Sequence, residues 1–129
     1  MTEKLELYKC NICGNLTQII LPGVGELVCC GESMKKLIAK YDENNGLAEK
    51  HVPIIEKEEN KIIVKLNEHP MVEEHYIQFI EVCIKDKSKM YLKYLNPNEV
   101  AEFEFQENEE NINALEYCNI HGLWRNNND

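Results

Sequence analysis

A chain of 129 residues with 43% hydrophobic and 29% charged side chains holds enough apolar material for one packed domain, alone or beside a small metal-stapled knob. Its net charge of −9 and pI near 5.0 leave no basic stripe to neutralise phosphates, so no nucleic-acid partner is expected. No apolar run approaches the roughly 20 residues of a membrane span, and Met1-Thr2-Glu3-Lys4-Leu5-Glu6 lacks a long apolar stretch, so no signal peptide is expected. The expected compartment is the cytoplasm, where six cysteines read as metal ligands or free thiols rather than disulfides.

From the N-terminus onward the pattern is one of short strands. Leu5 and Leu7 alternate with charged neighbours before Cys10, and residues 16–21 form a short apolar strand. Pro22-Gly23-Val24-Gly25 signals a turn, with residues 26–29 as the return strand of a hairpin. Residues 34–39 lead into Tyr41-Asp42-Glu43-Asn44-Asn45-Gly46, a polar, turn-rich linker or loop. Residues 52–56, 61–66, 76–84, 89–95 and 100–105 are rich in β-branched and aromatic types, each bounded by Asn, Pro, Asp, Ser or Glu clusters. The acidic, amide-rich stretch 106–113 predicts a solvated loop, 114–117 a final strand carrying Cys118, and 125–129 a frayed end. No helix of ordinary length and no internal repeat is expected. Short strands at this spacing predict an all-β protein built as an antiparallel sandwich.

Two ligand sets lie on these strands. Cys10-Asn11-Ile12-Cys13 places two thiolates on one tight knuckle, and Cys29-Cys30 brings two more after the hairpin. Four soft sulfurs suit zinc or iron in a tetrahedron. Neighbouring side chains in a strand point to opposite faces, so the backbone must twist sharply at Cys29-Cys30, which Gly31 would permit, and a distorted tetrahedron is expected. A purely structural zinc knot remains an open reading of this set.

The second set contains all four histidines. His51, in Glu49-Lys50-His51-Val52-Pro53, stands at the entrance to a strand; His69 and His75 lie on one Pro-containing loop; Cys118-Asn119-Ile120-His121 is a C-x-x-H chelate. Each histidine alone reads as an ordinary surface or satisfied residue. Together, four imidazoles and one thiolate exceed what structural zinc takes and do not match a blue-copper site. Five-coordinate iron with a sixth position free for a small molecule is the natural reading. A thiolate opposite that position pushes electron density toward the metal. A ferrous site so ligated carries one net positive charge, while the chain's exposed negative charge is screened over roughly 8 Å at physiological salt. Lys50 is therefore the expected guide for a small anion, and Glu49, a hard carboxylate, the expected ligand once the iron is ferric. Taken alone, both read as solvated surface charges. Cys83 reads as a buried small apolar residue, Trp124 as packing over the site's rim, and Tyr76 as core.

With these residues in view, the chain closely resembles the desulfoferrodoxins, the two-iron class of superoxide reductase, over essentially its whole length. The resemblance is carried by Cys10-x-x-Cys13 with Cys29-Cys30, by Glu49-Lys50-His51-Val52-Pro53, by His69-Pro70-Met71 and His75-Tyr76-Ile77, and by Tyr117-Cys118-Asn119-x-His121-Gly122. It implies a desulforedoxin-like iron-binding domain over residues 1–38 and an immunoglobulin-like sandwich over 39–129. It further implies iron on Cys10, Cys13, Cys29 and Cys30, with zinc an alternative there. A second, catalytic iron would lie on His51, His69, His75, His121 and an axial Cys118. Lys50 would steer superoxide and assist protonation, and Glu49 would close the ferric site. The implied reaction is one-electron reduction of superoxide to hydrogen peroxide in oxidative-stress detoxification. Rubredoxin is the implied donor and a homodimer the implied assembly. Two other readings stand beside it: a two-centre electron carrier with a saturated histidine site, and an interaction domain holding zinc in both sites.

Overall fold

A computed structural model of the chain describes residues 1–41 and 47–126; residues 42–46 of the predicted linker and 127–129 of the predicted frayed end lie outside them. The chain divides into two compact units, Met1–Ile38 and Ala39–Asp129.

The first unit contains β1 (Leu7–Lys9), β2 (Leu16–Gln18), β3 (Val28–Cys29), β4 (Glu32–Ser33) and β5 (Lys35–Lys36). One sheet has the order β2-β1-β5, and β3 and β4 form a separate two-stranded hairpin. The predicted hairpin between 16–21 and 26–29 is therefore corrected. β2 returns on β1, and β3 turns at Cys30-Gly31 to pair with β4, Cys29 facing Glu32. The Pro22–Gly25 turn is instead tied back to the N-terminus by Thr2, whose backbone N–H donates to the Gly23 carbonyl. Leu7 and Cys10 are the buried apolar residues of this unit, while Ile20, Leu21, Val24 and Val28 are exposed. So little burial cannot order such a short unit, and a metal cross-link is the physical alternative.

In the second unit a short helix, α1 (Leu47–His51), precedes β6 (Ile54–Glu58), β7 (Lys61–Lys65), β8 (Ile77–Ile84), β9 (Met90–Tyr94), β10 (Glu102–Gln106), β11 (Ile112–Cys118) and β12 (Gly122–Arg125). They form two antiparallel sheets, ordered β10-β7-β6 and β12-β11-β8-β9. Strand alternation sends Ile62 and Val64 of β7 inward, against Ile80, Val82 and Ile84 of β8 and Ile112 and Ala114 of β11, in one shared core. Each buried Ile or Val among them contributes about 1.5–3 kcal/mol on burial. The expected all-β sandwich is the fold observed.

Three details differ from expectation. α1 was not foreseen, because one turn is too short for a helical period; Pro53 then ends it by its missing N–H. Residues 106–113 are not one loop, since Gln106 closes β10 and Ile112 opens β11. Between them Glu107 is held by the Tyr91 hydroxyl, the Glu109 backbone N–H and the Lys89 ammonium, which bring its carboxyl down to about 2. Beyond Cys118 the chain turns at Gly122, at φ +80°, and adds β12 to the sheet edge.

Candidate metal centres

Two turns build the sulfur site. Gly14 N–H donates to the Cys10 carbonyl at 3.0 Å and Cys10 N–H to the Asn15 carbonyl at 2.9 Å, curling the chain so that Cys13 N–H reaches Cys10 Sγ at 3.5 Å. From the other side, Cys30 and Gly31 both have positive φ, 54° and 77°, as a two-residue hairpin of primed type requires. The left-handed Cys30 also answers the difficulty of adjacent cysteines, because it brings both sulfurs to one side. All four sulfurs lie within 4.8 Å of one another, with Cys13–Cys29 at 3.6 Å and Cys29–Cys30 at 4.0 Å. A tetrahedron with 2.3 Å metal–sulfur bonds has an edge of about 3.8 Å. Backbone N–H groups of Cys13 and Ile12 lower the Cys10 thiol to about 6. Hydrogen bonding to Cys13 and Cys10 holds Cys29 up and pushes Cys30 up to about 12. One thiolate forms readily, and further negative charge at this spacing needs a cation. The donor set fits a soft metal.

The histidine site lies in the second unit. His51 ends α1, His69 and His75 come from the β7–β8 loop, and Cys118 and His121 flank the β11–β12 turn. The imidazoles form a square. Consecutive ring centroids (His51, His69, His75, His121 and back) lie 4.5, 4.8, 5.0 and 4.8 Å apart, steeply inclined, while His51 and His75 face each other at 6.4 Å. His51 Nδ1 meets the Leu47 carbonyl at 2.8 Å and His69 Nδ1 the Pro70 carbonyl at 2.7 Å, so both protons sit on Nδ1 and both Nε2 lone pairs point inward. Those Nε2 atoms are 3.0 Å apart, and His121 Nδ1 lies 3.2 Å from His51 Nε2. Facing lone pairs at that distance repel unless a cation lies between them. Two corners of a square 3.0 Å apart have a centre about 2.1 Å from each, the usual imidazole–metal length. His75 Nε2 is buried without a hydrogen-bond partner, and Cys118 Sγ lies within 4.8 Å of the His51, His69 and His75 donors and 3.9 Å from His121 Nδ1. Here too the residues fit a metal.

Burial makes the site asymmetric. Cys118, His51 and His69 are buried, whereas His75 and His121 are half-exposed. Burial is the main cause lowering His51, His75 and His69, the last to about 4, so these imidazoles stay neutral as ligation requires. Burial raises the Cys118 thiol, and the His121 and Ile120 N–H groups oppose that rise. A register irregularity between Tyr117 and Cys118 ends the regular pairing with β8 and re-aims this cysteine.

Several residues differ from their sequence readings. Trp124 is not on the rim: it is fully buried, stacks 5.0 Å from the His51 ring, and donates Nε1–H to the His121 carbonyl at 3.1 Å. Cys83 is half-buried rather than buried, and Tyr76 half-buried rather than core. Glu49 and Lys50 are exposed on α1 beside His51, and the Lys50 charge is felt at His75.

Other residues were missed. Asn119 ties the His75 loop to the Cys118 turn, accepting from Tyr76 N–H at 3.0 Å and donating to the Glu74 carbonyl at 3.1 Å. Glu116 is fully buried, neither carboxyl oxygen has a hydrogen-bond partner, and burial pushes it up to about 9. The period of β11 signals this, since Ile112, Ala114, Glu116 and Cys118 are alternate positions.

Comparison with known proteins places this arrangement. The model of the desulfoferrodoxin N-terminal domain matches residues 2–37, and that of desulfoferrodoxin matches residues 43–127. The chain is 44% identical over 127 residues to a desulfoferrodoxin homolog of Archaeoglobus fulgidus, covering 97% of this chain and 98% of that protein. It is 33% identical over 97 residues to a superoxide reductase of Pyrococcus horikoshii, covering 60% of this chain and 84% of that one. The crystal structure of the superoxide reductase from Treponema pallidum shares the fold with a TM-score of 0.70 at 24% identity, covering 98% of this chain and 100% of that chain.

Proposed function

This chain belongs to the desulfoferrodoxin family, and on that premise we propose that it is a superoxide reductase, an oxidoreductase that detoxifies superoxide by one-electron reduction to hydrogen peroxide. One observation carries the reading: four imidazole nitrogens in a square, with a buried cysteine sulfur converging on them. Iron held by His51, His69, His75, His121 and Cys118 would supply the electron, and iron or zinc held by Cys10, Cys13, Cys29 and Cys30 would form the second centre.

The chain's own groups do the rest. Carbonyls of Leu47 and Pro70 fix the tautomers of His51 and His69, so their donor atoms are set before any metal arrives. Backbone N–H groups of His121 and Ile120 favour the Cys118 thiolate against the burial that raises its thiol, so a metal there meets a partly prepared sulfur donor. Superoxide approaches along the half-exposed His75–His121 side, where the Lys50 ammonium attracts it and assists protonation to peroxide. Glu49 closes the site after the product leaves. A rubredoxin-like protein donates electrons, in the cytoplasm, to a homodimer. The exposed Ile20, Leu21, Val24 and Val28 of the first unit support burial against a second copy.

Anaerobic metal analysis with stopped-flow superoxide decay tests the reading. The expected result is iron at the histidine set, rapid superoxide consumption, and a loss of at least about a hundredfold in Cys118→Ser, because serine lacks the soft anionic donor. Full activity in that variant, or colourless protein with zinc in both sets, would refute it.

A further inference from the structure

Lys40 belongs to neither ligand set, yet its ammonium reaches a backbone carbonyl of the histidine site. Its backbone is locked beside β12, with Lys40 N–H donating to the Leu123 carbonyl at 3.0 Å and Arg125 N–H to the Lys40 carbonyl at 2.9 Å, opposite Trp124. Its ammonium donates to the His121 carbonyl at 2.8 Å and stands 4.8 Å from the centroid of the Trp124 indole. That indole donates to the same carbonyl and stacks on His51. One carbonyl oxygen of the cluster thus takes two donors, and one half-buried cation is pinned from both sides.

From this geometry, and resting on the iron reading above, we propose that Lys40 is a positioning residue that fixes the His121 turn and, by its charge, holds up the reduction potential of the metal centre. A fixed positive charge beside a redox centre stabilises the oxidation state with less positive charge, here ferrous over ferric. The ammonium is half-buried, so salt screens it less than an exposed charge. Its field reaches the site: after burial, Lys40 is the opposing influence on Glu116, and it also acts on Cys118 and His51.

The test uses the full iron-loaded chain and three variants, with metal content, visible spectrum and midpoint potential measured for each. Lys40→Met removes hydrogen bond and charge, Lys40→Gln keeps a donor without charge, and Lys40→Arg keeps both. The potential should fall in Met and Gln and stay near wild type in Arg. Iron-loaded Met and Gln variants with the wild-type potential would overturn the proposal, as would an Arg variant displaced as far as Met. If Lys40→Met does not load iron, the Gln–Arg difference decides. Wild type without a titratable iron at the histidine set would overturn the iron reading itself, a separate outcome.

Discussion

Removing the Asn119 side chain should loosen the joint that sets His75 against Cys118. In Asn119→Ala the part-buried Tyr76 N–H loses its acceptor and the Glu74 carbonyl an exposed donor, while the backbone bond from Asn119 N–H to the Tyr76 carbonyl remains. An unsatisfied part-buried N–H costs about 1–2 kcal/mol and an exposed hydrogen bond about 0.5, together about 2 kcal/mol. For a unit of roughly 90 residues that lowers Tm by about 10 °C. Iron affinity at the histidine site should weaken by about 10–50-fold, since each 1.4 kcal/mol is a factor of ten. Thermal unfolding of the metal-free chain and chelator competition for iron measure the two effects. Asn119→Asp, which keeps the acceptor for Tyr76 N–H, should lose less than half as much. A Tm within about 2 °C of wild type in Asn119→Ala, with iron affinity unchanged, would mean that the backbone alone sets the loops.

Lys50→Ala should slow the bimolecular reaction with superoxide by about tenfold at low salt and flatten its ionic-strength dependence, with metal content intact. The net charge of −9 lies wholly in the second unit, since the first carries four lysines against four glutamates, so local attraction must overcome a repulsive background. An unchanged rate and salt response would rule out steering. Gly31→Val forces a β-branched side chain to φ +77°, costing about 1–2 kcal/mol, and should weaken metal retention at the sulfur site while sparing the histidine site. Full metal at both sites by elemental analysis would contradict it. The metal-free chain should lose stability as pH falls from 6.5 toward 4. His51, His69 and His75 are all held below their unfolded value, so the unfolded state binds more protons in that window. Glu116, held up to about 9, opposes this as one group against three. A denaturation midpoint that rises on acidification would reverse the argument.

Much of the chemistry was legible in the chain because metal ligation admits few substitutes. Cys10-x-x-Cys13, Cys29-Cys30, the four histidines and Cys118-x-x-His121 mark candidate donors by residue type and short spacing, and the fold brings them together in two clusters; β-branched alternation announces strands such as β7 and β8. The neighbours of those donors were less visible. Glu116 and Asn119 look like an ordinary strand residue and a turn residue until the partner strand and the β7–β8 loop are in place.

Residue type and local period determined by themselves the β class and the two candidate donor sets, because coordination chemistry and strand pleat act over a few neighbouring positions. Only the folded chain decided that β3 pairs with β4, that Trp124 lies beneath His51 rather than at the edge, and that the Lys40 ammonium reaches the carbonyl of His121, 81 residues away in sequence. Such contacts depend on which strands meet and in what register, and a one-dimensional pattern does not encode that.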